Sequence, residues 1–332
     1  MILQGFFPEG KFYKGSLHTH SSVSDAAMSP EEVAALYRSM GYDFLAITDH
    51  NIFGRHEELS DESFLLLPGV EMDIYYPRKD QMFVYEGGDY ELNARYHPEI
   101  NTVYNFKTHH IVGIGRPGCT LPEGFAFREF RKTLDYGTQI VEELKKNDCI
   151  VFYAHPYDSK VTIEDVAQVE GYDGMEIFNY GSELLHSMGY NEVYLDHVMW
   201  RGRKLKIFAT DDSHQGANRD YGGGWIMVKA KELTHEAITE AIDQGSFYAT
   251  NGGPEILDFC VEDGVAKVRC SGAQKIQFTT IRSKPCFYAP HMGVSELTEA
   301  EARPNWEFDK FCRVTVTDEY GRKSWSQPLY WE

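Results

Sequence analysis

Histidines and carboxylates recur along this chain at spacings that suit metal ions. Leu17-His18-Thr19-His20 closes an apolar run. In an extended segment residues two apart point the same way, so both imidazoles can reach one cation. Asp25 follows in the next loop, Asp49-His50 ends a second run, and Glu71 ends a third. His110 starts a fourth run, His155 ends Phe152-Tyr153-Ala154-His155, and Asp212-Ser213-His214 repeats the two-apart spacing. Imidazole and carboxylate without thiolate suit Zn, Mn or Fe, whereas an oxygen-only Mg or Ca site would use fewer imidazoles. A single HxH in a strand is commonly incidental. Five clusters in register with the ends of successive runs form a pattern that points to catalysis.

Two pairs compete for a place in that pattern. His110 is preferred to His109 because it directly precedes Ile111-Val112-Gly113, and alternation lets only one of the two face inward. Asp212 is preferred to Asp211 because it pairs with His214 at spacing two. Asp49 reads as a partner that orients a ligating imidazole. His56, His97, His186, His197, His235 and His291 have no such context and read as surface or core histidines.

The elements that must position these residues alternate between strand and helix. Ser29, Pro30, Glu31 and Glu32 mark a helix start, Val33, Leu36 and Tyr37 its apolar face, and Gly41 its stop. Tyr42 to Thr48 then reads as a buried strand. Similar runs at Lys14 to His18, Phe64 to Val70, His110 to Ile114, Cys149 to Ala154, Met175 to Phe178 and Leu205 to Ala209 give about seven strands. Interleaved with helices such as Tyr136 to Lys146 and Thr234 to Gln244, they predict an α/β fold of (β/α) barrel type, whose strand ends converge on one face. A Tyr-, Asn- and Gly-rich stretch, about residues 75–107, interrupts the rhythm as an insertion after the third strand. Past Asn251-Gly252-Gly253-Pro254 the helical signal stops, and alternating runs predict a small β-sandwich-like domain. The expected division is 1–250 for the barrel and 254–332 for a β-rich domain that supplies no metal ligand.

At 332 residues the chain is long enough for a barrel with an appendage. Its composition, 42% hydrophobic and 25% charged, is that of a soluble globular protein. The net charge of −19 would repel a polyphosphate backbone, and no Lys/Arg run relieves it, so long nucleic acid is not an expected partner. No apolar run is long enough for a membrane span, and the opening residues carry no signal-peptide pattern, which makes the cytoplasm the expected location. Six scattered cysteines without a CxxC pair read as reduced and structural.

The ordered series His18-Thr19-His20, Thr48-Asp49-His50, Gly69-Val70-Glu71, His110, Ala154-His155-Pro156 and Asp212-Ser213-His214 resembles the motif set of the polymerase-and-histidinol-phosphatase (PHP) superfamily, over about Lys14 to Thr250. Phe247-Tyr248-Ala249-Thr250-Asn251-Gly252 with a β-rich tail is similar to the branch that includes carbaryl-hydrolase-like proteins. The resemblance implies a distorted (β/α)7 TIM-like barrel and two or three divalent ions. It implies that His18, His20, Glu71 and Asp212 hold the first ion, that Glu71 bridges to a second held by His110 and His155, and that Asp25, His50 and His214 hold the third. Asp25 departs from the histidine many members carry. The expected reaction is hydrolysis of a small phosphate ester by a metal-bridging hydroxide. Arg219, just past the last motif, is a candidate phosphate contact, and Asp49 acting through water is a candidate aid to the leaving group. An amidohydrolase cleaving a carbamate, amide or carboxyl ester, and a non-enzymatic metal- or ligand-binding module, are the competing readings. A strand-end lysine would favour the first of these, and none occupies the matching position.

Overall fold

The first helix, Pro30–Ser39, forms where its caps dictate. The Ser29 hydroxyl accepts from the Glu32 amide while Glu32 reaches back to the Ser29 amide, with proline in the first turn. Gly41 ends it at a φ of +75°, a conformation open to glycine. Val33, Ala34 and Tyr37 on its inner face pack with Tyr42, Leu45, Ile47, Phe64 and Leu66. These details come from a computed structural model, which describes residues 2–75, 108–125 and 136–331. The expected insertion lies outside the described residues apart from its first, Tyr75.

The architecture is mixed α/β. Strands Lys11–Ser16, Phe44–Ala46 and Leu65–Leu67 pair in parallel. After Pro68 the chain runs on as Gly69–Tyr75. Cys149–Tyr153, Gly174–Asn179 and Lys206–Thr210 form a second parallel set. Between the two sets lies Thr108–Gly115, antiparallel to both neighbours. Its first residue pairs with Tyr75, the last of the preceding strand. The chain therefore re-enters at the end it left, and the strand must run backwards. That reversal puts His110, near the start of its strand, at the same end of the sheet as the carboxyl termini of the others.

These strands do not close into one hydrogen-bonded barrel among the described residues. Lys11–Ser16 has Phe44–Ala46 on one edge and the antiparallel strand Trp225–Ala230 on the other. An edge already paired cannot also accept Lys206–Thr210. The two sheets meet instead through single parallel bridges, Thr19 to Ser213 and His50 to Glu71, both beside the candidate ligands. The core lies within this array and includes Ile111, Val112, Ile150, Val151, Phe152, Ile177 and Phe208, with Phe152 and Phe208 stacked at 4.5 Å. Helix Tyr136–Lys146 and helix His235–Asp243, the latter capped by Thr234, occupy the stretches expected of them.

The sequence boundary at 250–254 does not interrupt the sheet. Phe247–Thr250 pairs with Lys323–Ser326, and Trp325 is buried in the same core as Phe152 and Phe208. Residues 2–4 cross the other way, since Ile2–Gln4 pairs with Ile256–Glu262 in a four-stranded sheet. A second apolar cluster, with Phe6, Phe259, Phe278 and Val316, fills the β-rich part. No helix among the described residues is long and apolar enough to cross a membrane.

Candidate metal centre

His18 and His20 follow the strand Lys11–Ser16, and both are fully buried. The alternation assumed from sequence holds: the Thr19 hydroxyl between them donates to the Ser213 carbonyl, while the two imidazoles face inward with their Nε2 atoms 3.3 Å apart. Each Nε2 lies 3.2 Å from Glu71 Oε2, and Asp212 Oδ1 is 3.2 Å from His18 and 3.0 Å from His20. On the other side of Glu71, Oε1 is 2.8 Å from His110 Nδ1 and 3.1 Å from His155 Nε2. His50 Nδ1 comes within 3.2 Å of Oε2. Asp25 stands further out, 3.4 Å from His214 Nε2 and 3.7 Å from His50 Nε2.

All nine predicted ligands thus meet in one cluster. Their atoms fall into three groups, each within 4.8 Å: His18, Glu71, His155 and Asp212; His50, Glu71 and His110; and His20, Asp25, His50 and His214. The same distances also bring together the sets the motif resemblance implies: His20 Nε2 lies with His18, Glu71 and Asp212, and His110 and His155 meet at Glu71 Oε1. The groupings overlap at His20, whose ring stacks on His50 at 4.4 Å and on His214 at 4.3 Å. Its Nε2 faces Glu71 and Asp212 while its Nδ1 faces Asp25 at 4.0 Å. His20 therefore stands between the inner and outer groups.

The donor set fits divalent cations. Glu71 Oε2, His20 Nδ1 and His50 Nδ1 are buried without a hydrogen-bond partner, an arrangement that costs free energy unless another ligand-seeking species completes it. Burial alone would strip the histidines of charge, yet hydrogen bonds and the charges of Asp212 and Glu71 overcome it and raise His20 to about 10 and His155 to about 9. His50 goes the other way: burial pulls it down to about 4. Glu71 and Asp212 are held well below the carboxylate range by neighbouring imidazoles despite their burial. The carboxylates demand positive charge at this point, and cations can supply it in place of protons. Asn51, His155 and Asp212, at or beside the cluster, have φ of +59°, +22° and +52°.

Comparison with solved structures finds neighbours of 14–17% sequence identity. A two-domain Bacteroides vulgatus protein, described as containing a predicted PHP-like metal-dependent phosphoesterase, is 15% identical and aligns over 98% of this chain and 97% of its own, with a TM-score of 0.48. A Bifidobacterium adolescentis protein, assigned by inference as a metal-dependent phosphoesterase, is 14% identical over 71% of this chain and 96% of its own, with a TM-score of 0.42. A Chromobacterium violaceum amidohydrolase with bound sulfate and no metal is 17% identical over 69% and 96%, with a TM-score of 0.39. Among curated proteins, the DNA polymerase/3'-5' exonuclease PolX of Bacillus subtilis is 38% identical over 79 residues, 18% of this chain. That match spans 14% of the PolX length. No protein-family model matches.

As in the motif series, each competing pair resolves by direction. His110 reaches Glu71, whereas His109 turns to the Tyr153 hydroxyl. Asp212 enters the cluster, whereas Asp211 accepts from the backbone amides of Gly222, Gly223 and Gly224 and from the Tyr37 hydroxyl. Burial pushes Asp211 up to about 6 in spite of those donors.

Asp49 requires a correction. Its carboxylate accepts from the Ser21 amide at 2.8 Å, the Ser21 hydroxyl at 2.7 Å and the Ser24 hydroxyl at 2.7 Å. It holds the loop that carries Asp25, and no imidazole among the described residues is hydrogen-bonded to it. Arg219 is exposed, with φ of +55°, and makes no ion pair among the described residues.

The residue that sequence reasoning missed is Glu176, fully buried and 2.7 Å from His18 Nδ1. A lone carboxylate inside the apolar run Met175 to Phe178 was the available signal. Asn179, whose Nδ2 lies 3.2 Å from Asp212 Oδ2, and Ser159, 3.1 Å from His155 Nδ1, carried no signal in the spacing.

Proposed function

We propose that this chain is a PHP-type metal-dependent hydrolase that cleaves a small phosphate ester. The observation that carries the reading is the sharing of Glu71: its two carboxylate oxygens serve two adjacent donor groups, and a third group adjoins them through His20 and His50. When bound, closely spaced divalent ions lower the pKa of water toward neutrality and neutralise charge on a phosphoryl group.

The protein side chains do the rest. His18, Glu71 and His155 are buried and keep bulk water from the inner group. Asp25 and His214 are open, their side chains 53% and 34% exposed, so a substrate enters from the outer group. Arg219 on the loop after His214 has an exposed guanidinium, unpaired among the described residues, with which to meet an anionic oxygen. The net charge of −19 favours a small ester over a polymer.

The test is a turnover panel on the full chain reconstituted with Mn, Zn or Fe, using p-nitrophenyl phosphate, a mononucleotide, single-stranded DNA and a carbamate. Phosphate release from the small esters is expected. Carbamate cleavage without phosphate release would move the reading to the amidohydrolase alternative, and no turnover of any substrate by metal-loaded protein would move it to a binding module.

A further inference from the structure

One buried carboxylate gathers donors from four strand ends. Glu176 Oε1 is 2.7 Å from His18 Nδ1 and 2.7 Å from Thr210 Oγ1. Glu176 Oε2 is 2.9 Å from the His155 amide nitrogen and 2.9 Å from Asn179 Nδ2. Glu176 has no exposed surface, so water does not share in satisfying it.

The donors at Oε2 cannot reverse. One is a backbone N–H. The other belongs to an amide whose Oδ1 accepts from the Ser182 amide at 2.9 Å, and whose Nδ2 also reaches Asp212 at 3.2 Å. Only an acceptor fits opposite them. At Oε1, a carboxylate keeps a proton on His18 Nδ1, which leaves His18 Nε2 as the atom that faces Glu71 and Asp212 at 3.2 Å each.

Resting on the reading of the inner group as a cation site, we infer that Glu176 is a positioning residue for that group. It fixes the proton of His18 on Nδ1 so that Nε2 is the donor to the cation, and through the His155 amide and Asn179 it registers His155 and Asp212 against His18. A purely structural Glu176 would be a strand residue whose loss lowers stability alone. Glu176→Gln separates the two. In one amide orientation its NH2 opposes the two fixed donors. In the other it faces Thr210, whose hydroxyl can turn to accept, and His18, which must then accept at Nδ1 and carry its proton on Nε2, inside the group.

The experiment uses the full chain with 15N-labelled histidine, loaded with Zn2+. Long-range 1H–15N correlation is expected to show His18 protonated on Nδ1 in the wild type. Competition titration with a zinc chelator is expected to show the tightest binding step weakened by about 10–100-fold in Glu176→Gln, the usual cost of losing an outer partner of a ligating imidazole. Thr210→Val, which removes one donor and keeps the carboxylate, is expected to lower the thermal midpoint without moving the His18 proton. A folded Glu176→Gln protein with the wild-type zinc affinity, or a zinc-loaded wild type with His18 protonated on Nε2, overturns the inference. If Glu176→Gln does not fold, the wild-type spectrum alone decides. Wild-type protein that takes up no zinc, manganese or iron would instead overturn the cation-site reading itself.

Discussion

Asp196 and Arg313 are joined across the sequence boundary that the composition suggested. Asp196, on helix Glu192–Trp200, lies 2.7 Å from Arg313 Nη2 on strand Phe311–Thr317, and both side chains are at most 5% exposed. Lys284 adds a second contact to Asp196 at 2.7 Å. Removing one partner of a buried pair leaves the other charge uncompensated, so Asp196→Asn should destabilise the chain by about 3–5 kcal/mol. Burial works to raise the Asp196 carboxyl, but Arg313 and Lys284 outweigh it and hold it below its ordinary 3.8. A depressed folded value means that the stabilisation is full above the unfolded value and is lost as pH falls through the folded one. Denaturant titrations of both proteins should therefore differ by a constant amount at neutral pH and converge only below about pH 4, in the acid range set by that unfolded value. A constant gap down to pH 2 would contradict the assignment.

Metal content should depend on which carboxylate is changed. Wild-type protein is expected to carry two to three transition-metal ions per chain, since each needs three or four donors. Glu71→Gln touches two donor groups and should lose about two ions, whereas Asp25→Asn should lose at most one. Elemental analysis after reconstitution reads this directly. Equal losses would show that the groups are not separate sites.

His18→Ala and His155→Ala each remove a buried inner donor. Turnover in either variant should fall by about a thousandfold or more, the scale on which enzymes depend on a metal-activated nucleophile. Wild-type rates in either one would show that the inner group is not the catalytic one.

Asp49→Ala should act through the loop it holds. Two serine hydroxyls and one amide lose their acceptor, which predicts a loss of about 1–3 kcal/mol of stability. Because that loop carries Asp25, the outer group should bind its ion more weakly while the inner group is unchanged, as a stepwise metal titration would show. Weakening of all steps alike would mean that Asp49 acts on the inner imidazoles after all.

Arg219→Ala tests the anion contact. The residue is exposed and unpaired among the described residues, so the thermal midpoint should hardly move. If Arg219 meets a phosphate, kcat/KM should fall by about tenfold or more, the worth of one charge-assisted contact. An unchanged kcat/KM for every phosphate ester would remove it from the site.

The sequence by itself determined the donors and their end of the fold. Spacing two in an extended run puts His18 and His20 on one side whatever surrounds them, and capping chemistry fixed helix Pro30–Ser39 from Ser29 and Glu32 alone. Both are local constraints, set by backbone geometry within a few residues. Tertiary structure decided whatever depends on which edges meet. That includes the reversed strand that brings His110 to the site, the failure of the sheets to close among the described residues because Trp225–Ala230 occupies the edge of Lys11–Ser16, and the pairing of Phe247–Thr250 with Lys323–Ser326 across the expected boundary. It also decided the two carboxylates that spacing could not assign. Glu176 faces His18 from 158 residues away, and Asp49 meets serines of a loop about 25 residues earlier. A side chain's partner across such a separation is set by the packing of whole elements, and periodicity along one strand reports only which side of that strand it leaves.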